Sequence, residues 1–297
     1  MKVTVLGVPD SAGAYCVGVE DAPAALREAG LLDALAGAGH DVRDAGDLMM
    51  RRWKPDRAHP RAQNLPDEVD AARELADAAS VLLEDGARLL VLGGSCLVAL
   101  GVSAAVARHS GRPRLVYIDR HLDLNTPAST EQGSLSWMGM AHALDIEGSV
   151  VELAEAFGPR PLLAPEELVY LGVSEAQTTE WERRQREALG VSLVPQSDLV
   201  ADPAAAARRA LSHLPAGPFV THVDVDVLDF LDAPLAEDSN GANSGPTLDQ
   251  LGLALRELAQ APHCLGLSLG QLNPAHASAD PTALPRLVGA LTYAFRD

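Results

Sequence analysis

The sequence predicts a single α/β domain over residues 1–297, built on a central parallel sheet with helices on both faces. Short β-rich runs alternate with longer alanine- and leucine-rich amphipathic runs along the chain. The strand-like runs are apolar throughout, which is typical of parallel strands covered on both faces. The chain has 297 residues, 47% of them hydrophobic, which is enough for one large core, and no low-complexity linker divides it.

The individual elements follow from this alternation. Strands are predicted at Val3–Val8, Leu89–Leu92, Leu115–Ile118, Leu168–Val173, Val191–Val194, Phe219–Val225 and Cys264–Leu269. Helices are predicted at Ala22–Ala36, Glu68–Asp85, Leu97–His109, Thr179–Leu189, Pro203–Ser212, Leu248–Leu258 and Pro281–Phe295. A surface loop is predicted at Trp53–Pro66, and loops over the edge of the site are predicted at Ser129–Gly139 and Asp238–Pro246. Ligands of such sheets bind beyond the carboxyl ends of the strands.

Composition and charge exclude several kinds of partner. The formal net charge is −18 at pH 7, so neither nucleic acid nor an anionic membrane surface is an expected partner. The three cysteines lie far apart without a CxxC motif, which indicates a reducing compartment and no disulfide framework. No signal-peptide pattern and no apolar run of about 18 residues are present, and we expect a cytoplasmic protein.

Four carboxylates and one imidazole follow two of the predicted strands. Asp119, His121 and Asp123 come after one strand, and Asp224 and Asp226 end another. One aspartate at a strand end often caps the next helix, but an unpaired cluster of carboxylates would repel itself, and a divalent ion is its natural compensation. The pattern therefore predicts a metal site. Carboxylate and imidazole ligands favour Mn²⁺ over Zn²⁺, although a thiolate would favour softer ions.

Six strings along the chain belong together: Gly18–Pro23, Leu26–Leu31, Leu92–Cys96, Asp119–Asp123, Val223–Asp229 and Gln271–Pro274. With these strings the chain resembles the arginase–agmatinase ureohydrolase family over nearly its whole length. The resemblance implies the three-layer fold of that family. It also implies two Mn²⁺ ions that share a hydroxide, which attacks a guanidinium carbon and releases urea.

The resemblance also assigns roles to single residues. The implied metal ligands are Cys96, Asp119, His121, Asp123, Asp224 and Asp226. Asp123 would in addition move the proton of the hydroxide, and Ser136 falls where arginases keep a histidine for proton transfer to the leaving amine. The implied substrate contacts are Asn125, Thr130, Gln132, Gln177 and Gln271. The expected partners are a small guanidine-like substrate and further copies of the chain, in a trimer or hexamer.

Cys96 is the first departure from the family pattern, because it stands where the family has a histidine ligand. A thiolate can ligate a metal, which would deprotonate it. The alternative is that Cys96 is a small buried hydrophobic residue and that one metal is weak or missing. A cysteine at this position also resembles the branch of the family that hydrolyses N-hydroxyarginine to hydroxyurea in D-cycloserine biosynthesis.

Three further departures concern the substrate end of the site. Gln271 replaces a glutamate that binds the guanidinium, and a neutral amide cannot supply that charge-assisted contact. This favours a less basic or neutral group, such as an N-hydroxyguanidine, a urea-like group or an amide. Ser136 in place of histidine suits a leaving group with a lower pKa, which needs less acid assistance. Arg120 stands between two ligands and is expected to turn away from the metals and pair with a carboxylate.

These observations predict a metal-dependent amidinohydrolase that acts on a modified guanidine, in specialised metabolism such as antibiotic biosynthesis. Two alternatives stay open. One is a pseudoenzyme that serves as a binding or assembly subunit, and the other is an enzyme of this fold with one-metal or metal-free chemistry. The retained carboxylates favour an enzyme, because buried unpaired charges destabilise a protein without metal.

Overall fold

The computed structural model describes residues 1–238 and 243–296, which contain one eight-stranded sheet. The strands are β1 (Lys2–Gly7), β2 (Asp41–Asp47), β3 (Arg88–Leu92), β4 (Leu115–Ile118), β5 (Leu168–Val173), β6 (Ser192–Pro195), β7 (Phe219–Asp224) and β8 (Cys264–Gly270). All neighbouring strands pair in parallel, in the order β2-β1-β3-β8-β7-β4-β5-β6. The predicted fold class is therefore confirmed.

Eleven α-helices surround the sheet in the described part of the chain. They are α1 (Ala22–Glu28), α2 (Leu31–Gly37), α3 (Leu65–Glu84), α4 (Val98–Ser110), α5 (Gly139–Ala143), α6 (Val151–Ala156), α7 (Glu180–Leu189), α8 (Gln196–Ala201), α9 (Pro203–His213), α10 (Leu248–Gln260) and α11 (Ala283–Phe295). Within the described residues, no helix is both long and apolar enough to cross a membrane.

Both faces of the sheet are covered, as the continuous apolar strands predict. Val116 and Ile118 of β4 belong to the core layer beneath α1, α2, α9, α10 and α11. Leu115 and Tyr117 of the same strand point to the opposite face and pack in the layer beneath α3, α4 and α6. Successive residues of a strand alternate between faces, so a strand buried on both faces has to be apolar at every position.

The structure differs from the sequence-based elements in several places, including the short helices α5, α6 and α8, which were not predicted. The expected helix Ala22–Ala36 is two helices, because Gly30 adopts a left-handed backbone (φ 87°) that ends α1 and begins α2. The edge strand β2 was not expected, because it is polar and largely exposed and lacks the apolar signal of the other strands. The expected loop Asp238–Pro246 includes residues 239–242, which lie outside the described residues.

The sheet order places four strand ends side by side. The strands β3, β8, β7 and β4 are consecutive in the sheet. Because all strands are parallel, the segments that follow them emerge at one edge. The polar motifs of the sequence therefore meet at the carboxyl edge of the sheet centre.

Candidate metal centre and substrate cleft

The strand ends bring the six predicted ligands to one place. Asp119 is fully buried after β4, and Asp224 and Asp226 are buried at the end of β7. Cys96 lies in the turn between β3 and α4 and is also fully buried. Its Sγ donates a hydrogen bond of 2.7 Å to Oδ2 of Asp224, 128 residues further along the chain.

Two overlapping groups of side chains in the described residues have the spacing of metal ligands. In the first, which we call the Cys96 side, Cys96, Asp119 and Asp123 each place a ligand atom within 4.8 Å of the others. In the second, the His121 side, the same holds for Asp119, His121 and Asp226. Asp119 belongs to both groups and lies between them.

The backbone at Asp123 is fixed in an unusual conformation. Asp123 has φ 50°, in the left-handed region that residues other than glycine seldom adopt. Its carbonyl accepts a hydrogen bond of 3.1 Å from the Ala141 amide. Its carboxylate accepts one of 2.5 Å from the Tyr117 hydroxyl. These contacts hold the Asp123 side chain against the cluster, and such local strain is often found at functional sites.

The His121 side contains both signs of charge. Nδ1 of His121 lies 3.0 Å from Oδ2 of Asp226 and 3.4 Å from Oδ1 of Asp119. Burial would lower the pKa of His121, but the charges of these two carboxylates outweigh burial and raise the pKa well above its usual value. Burial would likewise raise the pKa of Asp226, but His121 and Arg120 lower it.

Arg120 turns away from the cluster, as expected, although its main partners are backbone carbonyls. The guanidinium is fully buried and donates hydrogen bonds to the carbonyls of Asp226 and Leu228. Its Nε also lies 3.8 Å from Oδ1 of Asp226. Arg120 therefore fixes the loop after β7 and adds a positive charge behind Asp226.

The Cys96 side is dominated by acidic groups. Burial, followed by the charges of Asp224, Asp123 and Asp119, raises the pKa of the Cys96 thiol well above its usual value. Burial and the charges of Asp226 and Asp119 do the same to the pKa of Asp224. The raised pKa values mean that the groups on this side tend to keep their protons, which reduces the repulsion between them. The His121 side is stabilised by an ion pair instead.

The residues present fit a pair of divalent cations. Oδ2 of Asp119 and Oδ1 of Asp226 are buried and have no hydrogen-bond partner in the described part of the chain. Buried carboxylate oxygens without a partner are costly, and metal coordination is one of the few ways to satisfy them. Cys96, Asp119, Asp123 and Asp224 would hold one ion, and Asp119, His121, Asp224 and Asp226 the other.

A narrow cleft opens onto this cluster. Its lining residues are Tyr15, His121, Asp123, Ser136, Trp137, Asp224, Asp226, Glu237, Asp238 and Gln271. Gln271 has φ 59°. Its backbone amide donates a hydrogen bond of 2.7 Å to the Gly94 carbonyl, which fixes the residue at the end of β8. The centroid of the Trp137 ring lies 5.4 Å from that of the His121 ring.

Ser136 lies in the cleft but its hydroxyl is already engaged. Oγ of Ser136 lies 3.0 Å from the carbonyl oxygen of Gly13 and 2.9 Å from Oγ of Ser134. The amide of Ser136 donates to the same Gly13 carbonyl at 3.0 Å. The residue thus ties its segment to the loop after β1, and its single hydroxyl proton is held by that contact.

Four of the predicted substrate contacts are not among the residues that line the cleft. Asn125 is buried and its Oδ1 accepts a hydrogen bond from Ser129. Gln132 is exposed, and Thr130 and Gln177 are half-buried on the rim segments. Their assignment as substrate contacts stays a prediction that the geometry of the cleft does not support.

The sequence did not single out three lining residues that come from loops, although Asp238 begins a loop that it placed over the edge of the site. Tyr15 belongs to the loop after β1, and Glu237 and Asp238 to the segment between β7 and α10. These residues follow no strand end and match no motif. A polar loop gives no periodic signal that could reveal which side chain turns inward.

A parallel α/β sheet with carboxylate, imidazole and thiol side chains clustered at its carboxyl edge is typical of α/β proteins that bind metal ions. Comparison with known proteins shows to which family of such proteins the chain belongs. The model of the arginase family matches residues 1–290, so the chain belongs to the arginase family.

Individual relatives agree with this assignment. Arginase from Bacillus caldovelox is 27% identical over 278 residues, which cover 92% of this chain and 91% of that protein. Mitochondrial arginase-2 from Rattus norvegicus is 29% identical over 181 residues, which cover 60% of this chain and 51% of the rat protein. The chain therefore spans about half the length of that curated relative.

Solved structures confirm the fold. The native structure of arginase from Bacillus caldovelox superposes with a TM-score of 0.89 at 25% identity, over 99% of this chain and 98% of that one. The formimidoylglutamase from Bacillus subtilis superposes with a TM-score of 0.76 at 19% identity, over 99% of this chain and 86% of that one. The second likeness concerns the fold alone.

Proposed function

We propose that the protein is a metal-dependent hydrolase that cleaves a C–N bond of a modified guanidine, with an N-hydroxyguanidine as the preferred group. The observation that carries the proposal is the double ligand cluster at the floor of a cleft whose substrate end contains Gln271 in place of a glutamate. Membership of the arginase family supports guanidine chemistry. The neutral amide and the cysteine support a substrate other than arginine.

The residues of this chain support hydrolysis at the cluster. Two divalent ions bound there, Mn²⁺ by preference, would activate a water molecule as Lewis acids. Asp123 lies in the cleft, held by Tyr117, where it can accept a proton from the attacking water. Gln271 can orient the group under attack.

Ser136 limits how a proton reaches the leaving group. Release of hydroxyurea and ornithine breaks the bond from the guanidine carbon to the ornithine nitrogen, so the leaving group is the same alkyl amine as in arginine hydrolysis, and the less basic leaving group expected from Ser136 does not apply. That amine needs a proton, and the Ser136 hydroxyl, which lies against the Gly13 carbonyl, is a poor acid. The preference between the two substrates therefore rests on Gln271 and not on Ser136.

Several wider expectations belong to this proposal. A modified guanidine points to specialised metabolism, as in the antibiotic-forming branch that Cys96 resembles, and to a cytoplasmic setting. A trimer or hexamer remains a prediction from the family resemblance, which light scattering in solution tests. The helix α11 buries Leu287 and Leu291 against the core of its own chain, so these two side chains would not contribute to such an interface.

The proposal is tested by turnover of paired substrates. Protein loaded with Mn²⁺ is incubated with N-hydroxy-L-arginine or with L-arginine, and hydroxyurea, urea and ornithine are measured. We expect turnover of the hydroxylated substrate to exceed that of arginine by about tenfold or more, because the Gln271 amide lacks the charge that arginine needs. Ordinary enzyme rates on arginine, or turnover of neither compound, would contradict the proposal.

A further inference from the structure

Two acceptor oxygens without partners share the cleft. Oε1 of Gln271 and Oε2 of Glu237 are buried and have no hydrogen-bond partner within residues 1–238 and 243–296. Both residues line the cleft that contains His121, Asp123 and Asp226. A buried acceptor that stays unpaired destabilises the protein, and more so when it is charged. Both oxygens are therefore candidates for contact with a bound molecule.

The backbone places Glu237 directly beside Gln271. Ala236 and Leu272 form an antiparallel bridge. The Glu237 amide donates a hydrogen bond of 2.8 Å to the Gln271 carbonyl, and the Asn273 amide donates one of 2.8 Å to the Leu235 carbonyl. In an antiparallel pair, residues that face each other in this way carry side chains on the same side. The carboxylate and the amide thus form one acceptor pair.

The loop after β1 fixes the carboxylate of Glu237. The Cys16 thiol donates a hydrogen bond of 2.6 Å to Oε1, and the Tyr15 hydroxyl donates one of 3.2 Å to the Glu237 carbonyl. Only 3% of the Glu237 surface is exposed. One carboxylate oxygen is therefore held by the protein itself, which leaves Oε2 for a partner in the cleft.

The surroundings of Glu237 are short of positive charge. Burial raises its pKa to about 7; the hydrogen bond from Cys16 lowers it in part, and the charges of Glu20 and Asp238 raise it further. A cation placed against Oε2 would offset both burial and repulsion. A carbonyl oxygen in the same place would add another acceptor to two that already lack donors.

We propose that Glu237 is a specificity residue, which with Gln271 receives the N–H donors of the substrate and selects an amidine- or guanidine-type cation over a urea or an amide. The inference rests on the proposed function and deepens it, because it names the charged residue that selects the guanidine group. Position 237 supplies one negative charge from a loop, whereas Gln271 at the strand end stays neutral, so the fully cationic guanidinium of arginine still lacks a second charge-assisted contact.

The test compares two ligands with the same amino-acid backbone and different charge on the head group. Binding of N-hydroxy-L-arginine and of L-citrulline, whose urea replaces the guanidine, is measured by calorimetry on Mn²⁺-loaded protein. Three proteins are compared: the wild type, Glu237→Gln and the matched control Glu257→Gln, whose carboxylate lies on α10 in an ion pair with Arg208. The glutamine at 237 keeps an acceptor for the Cys16 thiol.

We expect the wild type and the Glu257→Gln control to prefer the guanidine ligand, and Glu237→Gln to lose about ten- to a hundredfold of that preference, as for the loss of one charge-assisted contact. If Glu237→Gln does not fold, Glu237→Asp, which withdraws the charge by one methylene, should lose part of the preference. An unchanged ratio in the variant that folds, or no guanidine preference in the wild type, overturns the inference. Absent turnover with the expected binding ratios would refute the proposed function and leave the role of Glu237 supported.

Discussion

The two sides of the ligand cluster share Asp119 but balance their buried charges in different ways. On the His121 side, an imidazole and the guanidinium of Arg120 stand against Asp226. On the Cys96 side, the Cys96 thiol donates a hydrogen bond to Asp224, and the neighbouring side chains are acidic. A metal must displace the protons of its ligands, and a buried thiol with a raised pKa gives up its proton reluctantly. The comparison therefore predicts two sites of unequal affinity, with the tighter one on the His121 side.

The largest effect is expected from removal of a carboxylate on the His121 side. Asp226→Asn should abolish binding of the ion on that side and lower activity by more than about a hundredfold, since even partners of ligands commonly contribute ten- to a hundredfold. Metal content and turnover are measured together. Asp229→Asn, three residues further along the same loop, is the control and should keep both. Unchanged occupancy in Asp226→Asn would show that the ligand assignment is wrong.

The Cys96 side responds to a change of ligand. Cys96→Ser should lose the weaker ion and keep the tighter one, because only one side contains the cysteine. Cys96→His should raise occupancy of the weaker site or broaden activity toward arginine. Equal ion affinities in the wild type and in Cys96→Ser would remove the thiol from the ligand set.

Space limits the histidine variant. A Cβ at Gly270 would lie 3.0 Å from Cε1 of His222 and 3.2 Å from Sγ of Cys96, so these two side chains fill the same region above the glycine. A larger residue at position 96 therefore meets the His222 ring. The double variant Cys96→His/His222→Ser, which removes that ring, is expected to gain more metal affinity than Cys96→His alone. A double variant no better than the single one would show that volume is not the limit.

Asp10 and Glu68 form a second pair of buried carboxyl groups, which lies outside the two sets of predicted metal ligands. Asp10 and Glu68 are buried under the loop after β1, where Asp10 accepts from the Ala12 amide at 2.8 Å and Glu68 from the Gly13 amide at 2.5 Å. Burial raises the pKa of Asp10 to about 6, and burial and the charge of Asp10 raise the pKa of Glu68.

The raised pKa values determine how the stability of the folded protein changes with pH. A carboxyl group with a raised folded-state pKa stabilises the protein below its unfolded pKa, near 4, and that contribution is lost as the pH rises through about 6. For Asp10 the loss is of the order of 3 kcal/mol. Glu68 contributes to the pH dependence in the same direction, because its own pKa is also raised. Glu68→Gln removes this titrating group, so with Mn²⁺ held in excess it should reduce the fall in melting temperature between pH 5 and pH 8. The same fall in the variant and the wild type would contradict this account.

The smallest effect concerns the substrate. Gln271→Glu restores a charge-assisted contact worth roughly 1.5–3 kcal/mol, so the preference for arginine over the N-hydroxylated substrate should rise by about ten- to a hundredfold. The ratio of kcat/KM values for the two substrates measures it. A parallel change in both values, without a change in their ratio, would indicate a positioning effect and not a charge effect.

The sequence predicted the parallel sheet and the residues of the cluster because both depend on strand ends. Asp119, His121, Asp123, Asp224 and Asp226 follow apolar strands directly, so the order of the strands alone brings them together. The break at Gly30 was not predicted, because a single glycine is compatible with a continuing helix until the fold shows its left-handed backbone.

The loop residues of the cleft could not be predicted for a different reason. Glu237 becomes a cleft residue through the bridge between Ala236 and Leu272, which pairs segments 36 residues apart without a strand pattern. Gln132 and Gln177 were placed at the substrate by resemblance, but the structure leaves them exposed or half-buried outside the cleft lining. Motifs at strand ends transfer between relatives more safely than positions on loops.

Measurement of metal content shows whether the cluster binds two ions with unequal affinity. The protein is exposed to Mn²⁺, freed of loosely bound ions by gel filtration and measured by elemental analysis, beside Asp226→Asn treated in the same way. The account predicts about one tightly held ion per chain of wild type, approaching two as free Mn²⁺ is raised, and a clear loss in the variant. A wild type that retains no ion at any Mn²⁺ concentration, or no more than Asp226→Asn, would contradict it.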